Sequence, residues 1–381
     1  MRLTGLFKEF FDSEKAGGFI LILCTVLSLL IANSVWGNGY LGFWHTEIYG
    51  HHLTHWINDG LMVIFFLLIG LELERELYIG ELSYIKNALF PVFAALGGML
   101  VPAGIFMIFN FGTEYQAGAG IPMATDIAFA IGILAILGNR VPAALKVFLV
   151  ALAVIDDLGA ILTIAVFYSK GLSLLNLGLA LGVFVILFGL KKLKVYNLIP
   201  YIIGGIVMWY FMLNSGVHAT ITGVLLAFVI PFTDGSKKSP SYKLQHFLHK
   251  PVSFLILPIF ALANTAIIIN SNWLEGLSST MSIGIFMGLV VGKPVGIMLF
   301  GTLAVLFKVT TKPKEIAWKD ILGVGFLAGI GFTMSIFISI LAFDSDLVID
   351  SSKIAILISS LTAAIIGLVW LRLSLKEQLV D

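Results

Sequence analysis

AALKVFLVALAVIDDLGAILTIAVFY, residues 143–168, is an apolar run interrupted by one lysine, Lys146, and two adjacent aspartates, Asp156 and Asp157. It reads as a membrane-spanning helix, since about 20 apolar residues cross the hydrocarbon core of a bilayer. A charge at the bilayer centre costs about 2.5–3.5 kcal/mol on insertion scales. A carboxylate beside the first adds repulsion to that cost. Packing alone does not account for the pair, because an apolar helix of the same shape would pack as well. Two buried acids on one span point to the passage of cations or protons.

The rest of the chain has the same character. Its 381 residues are 59% hydrophobic and 12% charged, with 39 glycines and 30 phenylalanines. The mean hydropathy is +1.02. This composition describes one polytopic membrane domain over residues 1–381 rather than a globular enzyme on an anchor. A net charge of +1 carries no nucleic-acid footprint. The single cysteine, Cys24, excludes an intrachain disulfide and argues against a zinc cage. In residues 1–16, Leu3, Leu6, Phe7, Phe10 and Phe11 share one helical face among Lys8, Glu9 and Asp12. That pattern predicts an interfacial helix leading into the first span, with no cleavable signal peptide.

Segments of spanning length fall near 17–35, 59–79, 88–110, 119–138, 143–169, 173–190, 197–213, 216–233, 252–270, 282–307, 321–343 and 353–373. The expectation is an all-α protein of about twelve transmembrane helices. Loop charges support it: 20 of the 23 Lys and Arg residues fall on one side, Lys170 and Lys353 on the other, and Lys293 within a span. By the positive-inside rule both termini are cytoplasmic. The loop 36–58 is the longest on the outer side and has no basic residue. Its apolar, glycine-punctuated run Tyr40–Gly50 suggests a short hairpin suited to contact between two protomers. His51, His52 and His55 lie in the same loop without a further ligand type nearby, and they read as solvated residues rather than a metal site.

Four features share one membrane depth. Asp126 is near the middle of the fourth segment, the Asp156–Asp157 pair of the fifth and Lys293 of the tenth, and the Gly331–Thr333 step is central in the eleventh. The fourth segment carries Gly118, Gly120 and Pro122 before Asp126, and the eleventh carries Gly323, Gly325, Gly329 and Gly331. Glycine clusters beside charges predict that segments 4 and 11 are discontinuous helices. Asp126 is then placed to offset a positive helix end and Lys293 a negative one. Gly284, Gly288, Gly292 and Gly296 form a four-residue stripe on the tenth segment, a surface for close approach of a neighbouring helix. The loop charges make segments 3–5 and 10–12 an inverted repeat, each with its broken helix second.

These residues resemble the NhaA-type sodium/proton antiporter family. The matching stretches are FFLLIGLELERE (65–76), ATDIAFA (124–130), LAVIDDLGA (152–160), SGVHAT (215–220), GKPVG (292–296) and GIGFTMSIF (329–337), spread over nearly the whole chain. The resemblance implies that Asp157 and Asp156 bind sodium, with Asp126, Thr125 and Lys293 compensating the broken-helix ends and Lys293 paired with Asp156. It implies a pH-responsive cluster of Glu72, Arg75 and Glu76, and a modulating role in pH dependence for His218. It also implies a bacterial inner membrane and no cofactor beyond the transported ions. One position departs from the family pattern: Gln245 stands where a carboxylate is expected, which bears on the pH threshold.

The chemistry that follows is exchange of Na⁺, and of Li⁺ by the same ligands, for H⁺. A hard cation takes oxygen ligands, and protonation of the same carboxylates discharges the site. Adjacent helix positions point about 100° apart, so one aspartate, Asp157, is favoured as the direct ligand. A channel would need no counter-transported proton. An intramembrane aspartyl protease would place its aspartates on separate helices, with a Gly-x-Gly-Asp sequence that is absent here. A twelve-span sugar or drug carrier would show parallel halves.

Overall fold

The computed structural model describes residues 5–169, 171–233, 235–269 and 273–375. Residues 1–4 of the expected N-terminal helix, and with them Arg2, Lys170 and Lys376 of the charge distribution, lie outside the described residues.

α1 (Gly5–Ala32) runs past residue 16 as one helix into the first span. α2 (Gly37–Trp44) and a minimal hairpin, β1 (Glu47–Ile48) antiparallel to β2 (His51–His52), occupy the 36–58 loop. Tyr49 and Gly50 at the hairpin tip both have positive φ, 51° and 81°, as a two-residue type I′ turn requires. α3 (Leu53–Trp56) passes through a π-helical turn, Ile57–Leu61, into α4 (Met62–Tyr78). α5 (Ile85–Asn110), the 3₁₀ stretch Gln116–Met123, α6 (Ile127–Ile136) and α7 (Ala143–Phe167) make a first three-segment unit. α8 (Leu174–Lys192), α9 (Ile199–Leu213) and α10 (Ile221–Val229) follow, and α11 (Pro240–Pro251) continues through a π turn, Val252–Ile256, into α12 (Leu257–Asn264). Beyond α13 (Trp273–Leu277), the second unit is α14 (Thr280–Phe286), a π turn at Met287–Gly292, α15 (Lys293–Leu306), α16 (Trp318–Ala328), α17 (Phe332–Ala342) and α18 (Asp346–Ser374).

Among the described residues, nine helices are long and apolar enough to cross a membrane. The pair α16 and α17, bent by 47°, makes a tenth span. The two remaining expected segments are shorter: α9 has 15 residues and α10 nine, against the roughly 20 of a straight crossing. α10 is held inside the bundle, where Gly223 lies against the α4 backbone at Val63 and Leu67. α11 was not foreseen. Its sequence PSYKLQHFLHKP is polar on one face and lies in an expected loop, yet it continues with the ninth segment as one helical element of 25 residues, Pro240–Asn264.

The glycine stripe finds its neighbour in α5. A Cβ on Gly97 of α5 would collide with the carbonyl of Gly296, and one on Gly296 with that of Gly97. Further along, Gly292 faces Pro102 and Gly284 faces Phe106 and Asn110. Residue numbers rise on one helix as they fall on the other, so α5 runs antiparallel to α14–α15. The broken segments are likewise antiparallel: Ser335 Oγ donates to the carbonyl of Ile121 at 2.6 Å, and the amide of Asp126 to that of Ile330 at 2.6 Å. Opposed units with a broken second element fit the inverted arrangement, and they cross at mid-bundle.

Candidate functional site

Two short non-helical bridges form the crossing, the first of them extended at Ala124 and Asp126. Residues 124–126 separate the 3₁₀ stretch from α6, and residues 329–331 separate α16 from α17. Two helix N-termini and two C-termini therefore meet in an apolar interior where backbone groups need partners. Asp126 serves both N-termini. Its Oδ1 accepts from the Phe129 amide at 3.0 Å, and its Oδ2 accepts from the Thr333 amide at 3.0 Å and the Thr333 hydroxyl at 2.6 Å. The negative ends are served from the other side. Lys293 Nζ donates to the carbonyl of Met123, the last residue of the 3₁₀ stretch. Thr125 Oγ1 lies 2.8 Å from the carbonyl of Ala328, the last residue of α16.

The same two side chains reach Asp156. Its Oδ2 receives Lys293 Nζ and lies 2.7 Å from Thr125 Oγ1. Lys293 and Asp156 have no exposed surface, so the charges compensate one another within the protein.

Asp157, about 100° further round α7, faces elsewhere. It is 2% exposed, and its Oδ1 is buried without a hydrogen-bond partner. Asp157 lines a cavity of about 30 Å³ together with Phe65, Glu72, Asp126, Ser253 and Thr333. One water needs roughly 10–15 Å³ of such space, so the cavity has room for a small cation with one or two waters. Around it stand the oxygens of Asp157, Thr125, Ser253 and Glu72, a hard set suited to Na⁺ or Li⁺. Among the described residues no three His, Cys, Asp or Glu side chains converge as a metal cluster, His51, His52 and His55 included.

Asp156, Asp157, Asp126, Thr125 and Lys293 thus come together from three segments. Glu72 joins them on the cavity wall, where Gln245 hydrogen-bonds to it and His249 Nδ1 lies 3.8 Å away. Arg75 and Glu76 pair with each other at 3.0 Å, outside the cavity lining. His218 stands apart. Its Nε2 lies 3.0 Å from the carbonyl of Tyr168, and it borders a second, wider cavity of about 480 Å³ with His55, Asp59 and Asp344. Thr333 and Ser253 are the wall residues that single positions in the sequence did not single out. Thr333 was readable as the hydroxyl following Gly329 and Gly331. Ser253 had no signal of its own.

The sequence pattern of the family described as "Na+/H+ antiporter 1" matches residues 8–371. The chain is 63% identical over 372 residues, 98% of each chain, to a protein of Flavobacterium johnsoniae named "Na(+)/H(+) antiporter NhaA 1". It is 63% identical over 381 residues to the "Na(+)/H(+) antiporter NhaA" of Flavobacterium psychrophilum, covering 100% of this chain and 99% of the relative. Identity to the relative of the same name in Dechloromonas aromatica is 57% over 374 residues, 97% and 96% of the two chains.

Proposed function

This chain belongs to the Na⁺/H⁺ antiporter 1 family, and we propose that it exchanges the two ions by competition at one carboxylate site, that of Asp157 supported by Asp156. The observation that carries this reading is the buried, unpartnered Oδ1 of Asp157 on the wall of the mid-bundle cavity. Antiport of Na⁺ against H⁺ needs a group that binds either ion and never both. An ionised carboxylate draws the cation, and a protonated one has no charge left to hold it. Asp126 is committed to two helix ends.

Asp156 and Lys293 hold the second proton-exchanging unit beside the ligand. When Na⁺ enters, its charge competes with the Lys293 ammonium for the local carboxylates. One cation is then balanced by more than one proton, and the two units titrate together. Alternate exposure of the cavity to each side completes the exchange, with Li⁺ taking the place of Na⁺. Glu72, Arg75, Glu76 and His218 tune the response to pH.

The basic end of the bundle faces the cytoplasm, with both termini there, in the inner membrane of a bacterium. The loop charges support this orientation. Two copies of the chain meet through the outer 36–58 hairpin, a reading supported by the exposed Trp36, Phe43 and Tyr49 on it.

Everted vesicles with a ΔpH-sensitive dye test the site. Wild-type vesicles lose part of their ΔpH on addition of Na⁺, and Asp157→Asn vesicles at equal protein level do not. Dissipation at the wild-type rate in the Asn variant would remove Asp157 from the site.

A further inference from the structure

Glu74 lies two residues beyond Glu72 on α4, about 200° round the helix, so the two carboxylates point to opposite sides. Glu74 has no exposed surface and no part in the cavity lining. Its Oε1 takes Lys191 Nζ at 3.1 Å from the last turn of α8. Its Oε2 lies 3.4 Å from Ser241 Oγ in the first turn of α11. Lys191 Nζ also donates to the carbonyl of Phe228 at 2.8 Å, near the C-terminal end of α10. One ion pair, with Glu74 buried and Lys191 about a quarter exposed (24%), therefore ties four helices together at the basic end of the bundle.

α11 is engaged on the other side as well, because Gln245 and His249 of α11 meet Glu72. It then runs through the Val252–Ile256 π turn directly into the wall of the Asp157 cavity, where Val252 and Ser253 stand. π turns recur where helices are deformed for function. The position of α11 along α4 thus fixes one wall of the cavity, and Glu74 with Lys191 fixes the position of α11.

We propose that the Glu74–Lys191 pair is a latch that holds α11 against α4 and restricts entry from the basic, cytoplasmic end to the Asp157 cavity. The proposal builds on the reading of that cavity as the ion site. Glu74 and Lys191 are positioning residues, since neither touches the cavity. Removing Lys191 leaves the Glu74 charge buried and unpaired, and the helices must separate to hydrate it; removing the Glu74 charge releases the part-exposed Lys191 to solvent and unties α8 from α4.

The test reads access directly. Ser253→Cys in a Cys24→Ser background places a single thiol on the cavity wall. In everted vesicles a membrane-impermeant thiol reagent then approaches from the basic end. With the latch intact, labelling is slow. Glu74→Gln or Lys191→Met accelerates it about tenfold, through a larger open fraction. Lys191→Arg keeps charge and reach and stays at the slow rate. Unchanged labelling in the Gln and Met variants, both inserted and folded, overturns the proposal. So does failure of both to assemble while Lys191→Arg assembles, which would make the pair a folding element only. Labelling needs no bound ion, so it remains readable even if Asp157 proves not to be the ligand.

Discussion

Asp126 accepts from both the amide and the hydroxyl of Thr333, at 3.0 and 2.6 Å, across 207 residues of sequence. With its other oxygen on the Phe129 amide, one carboxylate caps two half-helices that start at the same depth. Each cap is worth about 1 kcal/mol in ordinary settings. In an apolar interior the uncapped amides find no water to replace it. Asp126→Leu should therefore lower the thermal midpoint of the purified protein more than Asp126→Asn, and both should impair Na⁺-dependent ΔpH dissipation. Thr333→Val, which keeps the backbone donor, should cost only about 1 kcal/mol. Equal midpoints for Asp126→Leu and wild type would show that the half-helices do not depend on this carboxylate.

Lys293 and Asp156 should behave as one unit. Lys293→Met leaves an uncompensated carboxylate on Asp156 and is expected to destabilise by about 3–5 kcal/mol. Lys293→Met combined with Asp156→Asn removes both charges and should recover much of that loss. Thermal unfolding of the two single variants and the double variant measures the coupling. Additive losses would mean that the contact contributes nothing beyond its parts.

The close approach of α5 and α15 at Gly97 and Gly296 predicts a steric effect without a charge effect. Gly296→Ala puts a methyl group into the Gly97 carbonyl and should cost about 1–3 kcal/mol by overpacking. Gly301→Ala, whose nearest neighbour is the Phe90 ring at 3.4 Å, should be tolerated on the same helix. The comparison is read as two thermal midpoints, and a lower value for the Gly301 variant would contradict the packing argument.

What the sequence made legible here is what a single helix carries. The Asp156–Asp157 pair, the four-residue glycine stripe and the glycine clusters at both breaks are local patterns of composition and period. The partners of those patterns are not local. Lys293 meets Asp156 across 137 residues and Lys191 meets Glu74 across 117. Burial of Glu74 was invisible because an acid near a helix end reads as a solvated interface residue. α11 is hidden in the sequence because Lys243, Gln245, His246 and Lys250 mask its continuity with the apolar Leu257–Asn264 that follows. The seventh and eighth segments were apolar enough to be counted, but their helices are short: α10 is enclosed by its neighbours, whereas α9 keeps Ile199, Ile203, Ile206 and Tyr210 exposed.

The proposed contact through the outer hairpin can be tested apart from transport. If β1 and β2 mediate contact between two copies, replacing Glu47–His52 with a glycine-serine link should yield a monomer in mild detergent, by light scattering coupled to size exclusion. The mid-bundle site lies on other elements, so Na⁺-dependent ΔpH dissipation should persist. A dimer of undiminished mass would assign the contact to another surface.

Gln245 offers a test of pH response with a determined sign. Its amide hydrogen-bonds to Glu72, beside His249 at 3.8 Å and within the fields of Arg75 and Glu76. Gln245→Glu removes a donor and adds a second carboxylate to the cluster. The two carboxylates repel when both are ionised, and a proton held by either one relieves the repulsion. The cluster then keeps its proton to higher pH. Glu72 borders the cavity proposed as the ion site, so the acid limb of the activity profile should move to higher pH in the variant. One unit of displacement corresponds to about 1.4 kcal/mol of added interaction. Initial rates of Na⁺-driven ΔpH dissipation between external pH 6 and 9 give the two profiles directly. A limb displaced to lower pH, or unmoved at equal expression, would detach this cluster from the control of exchange.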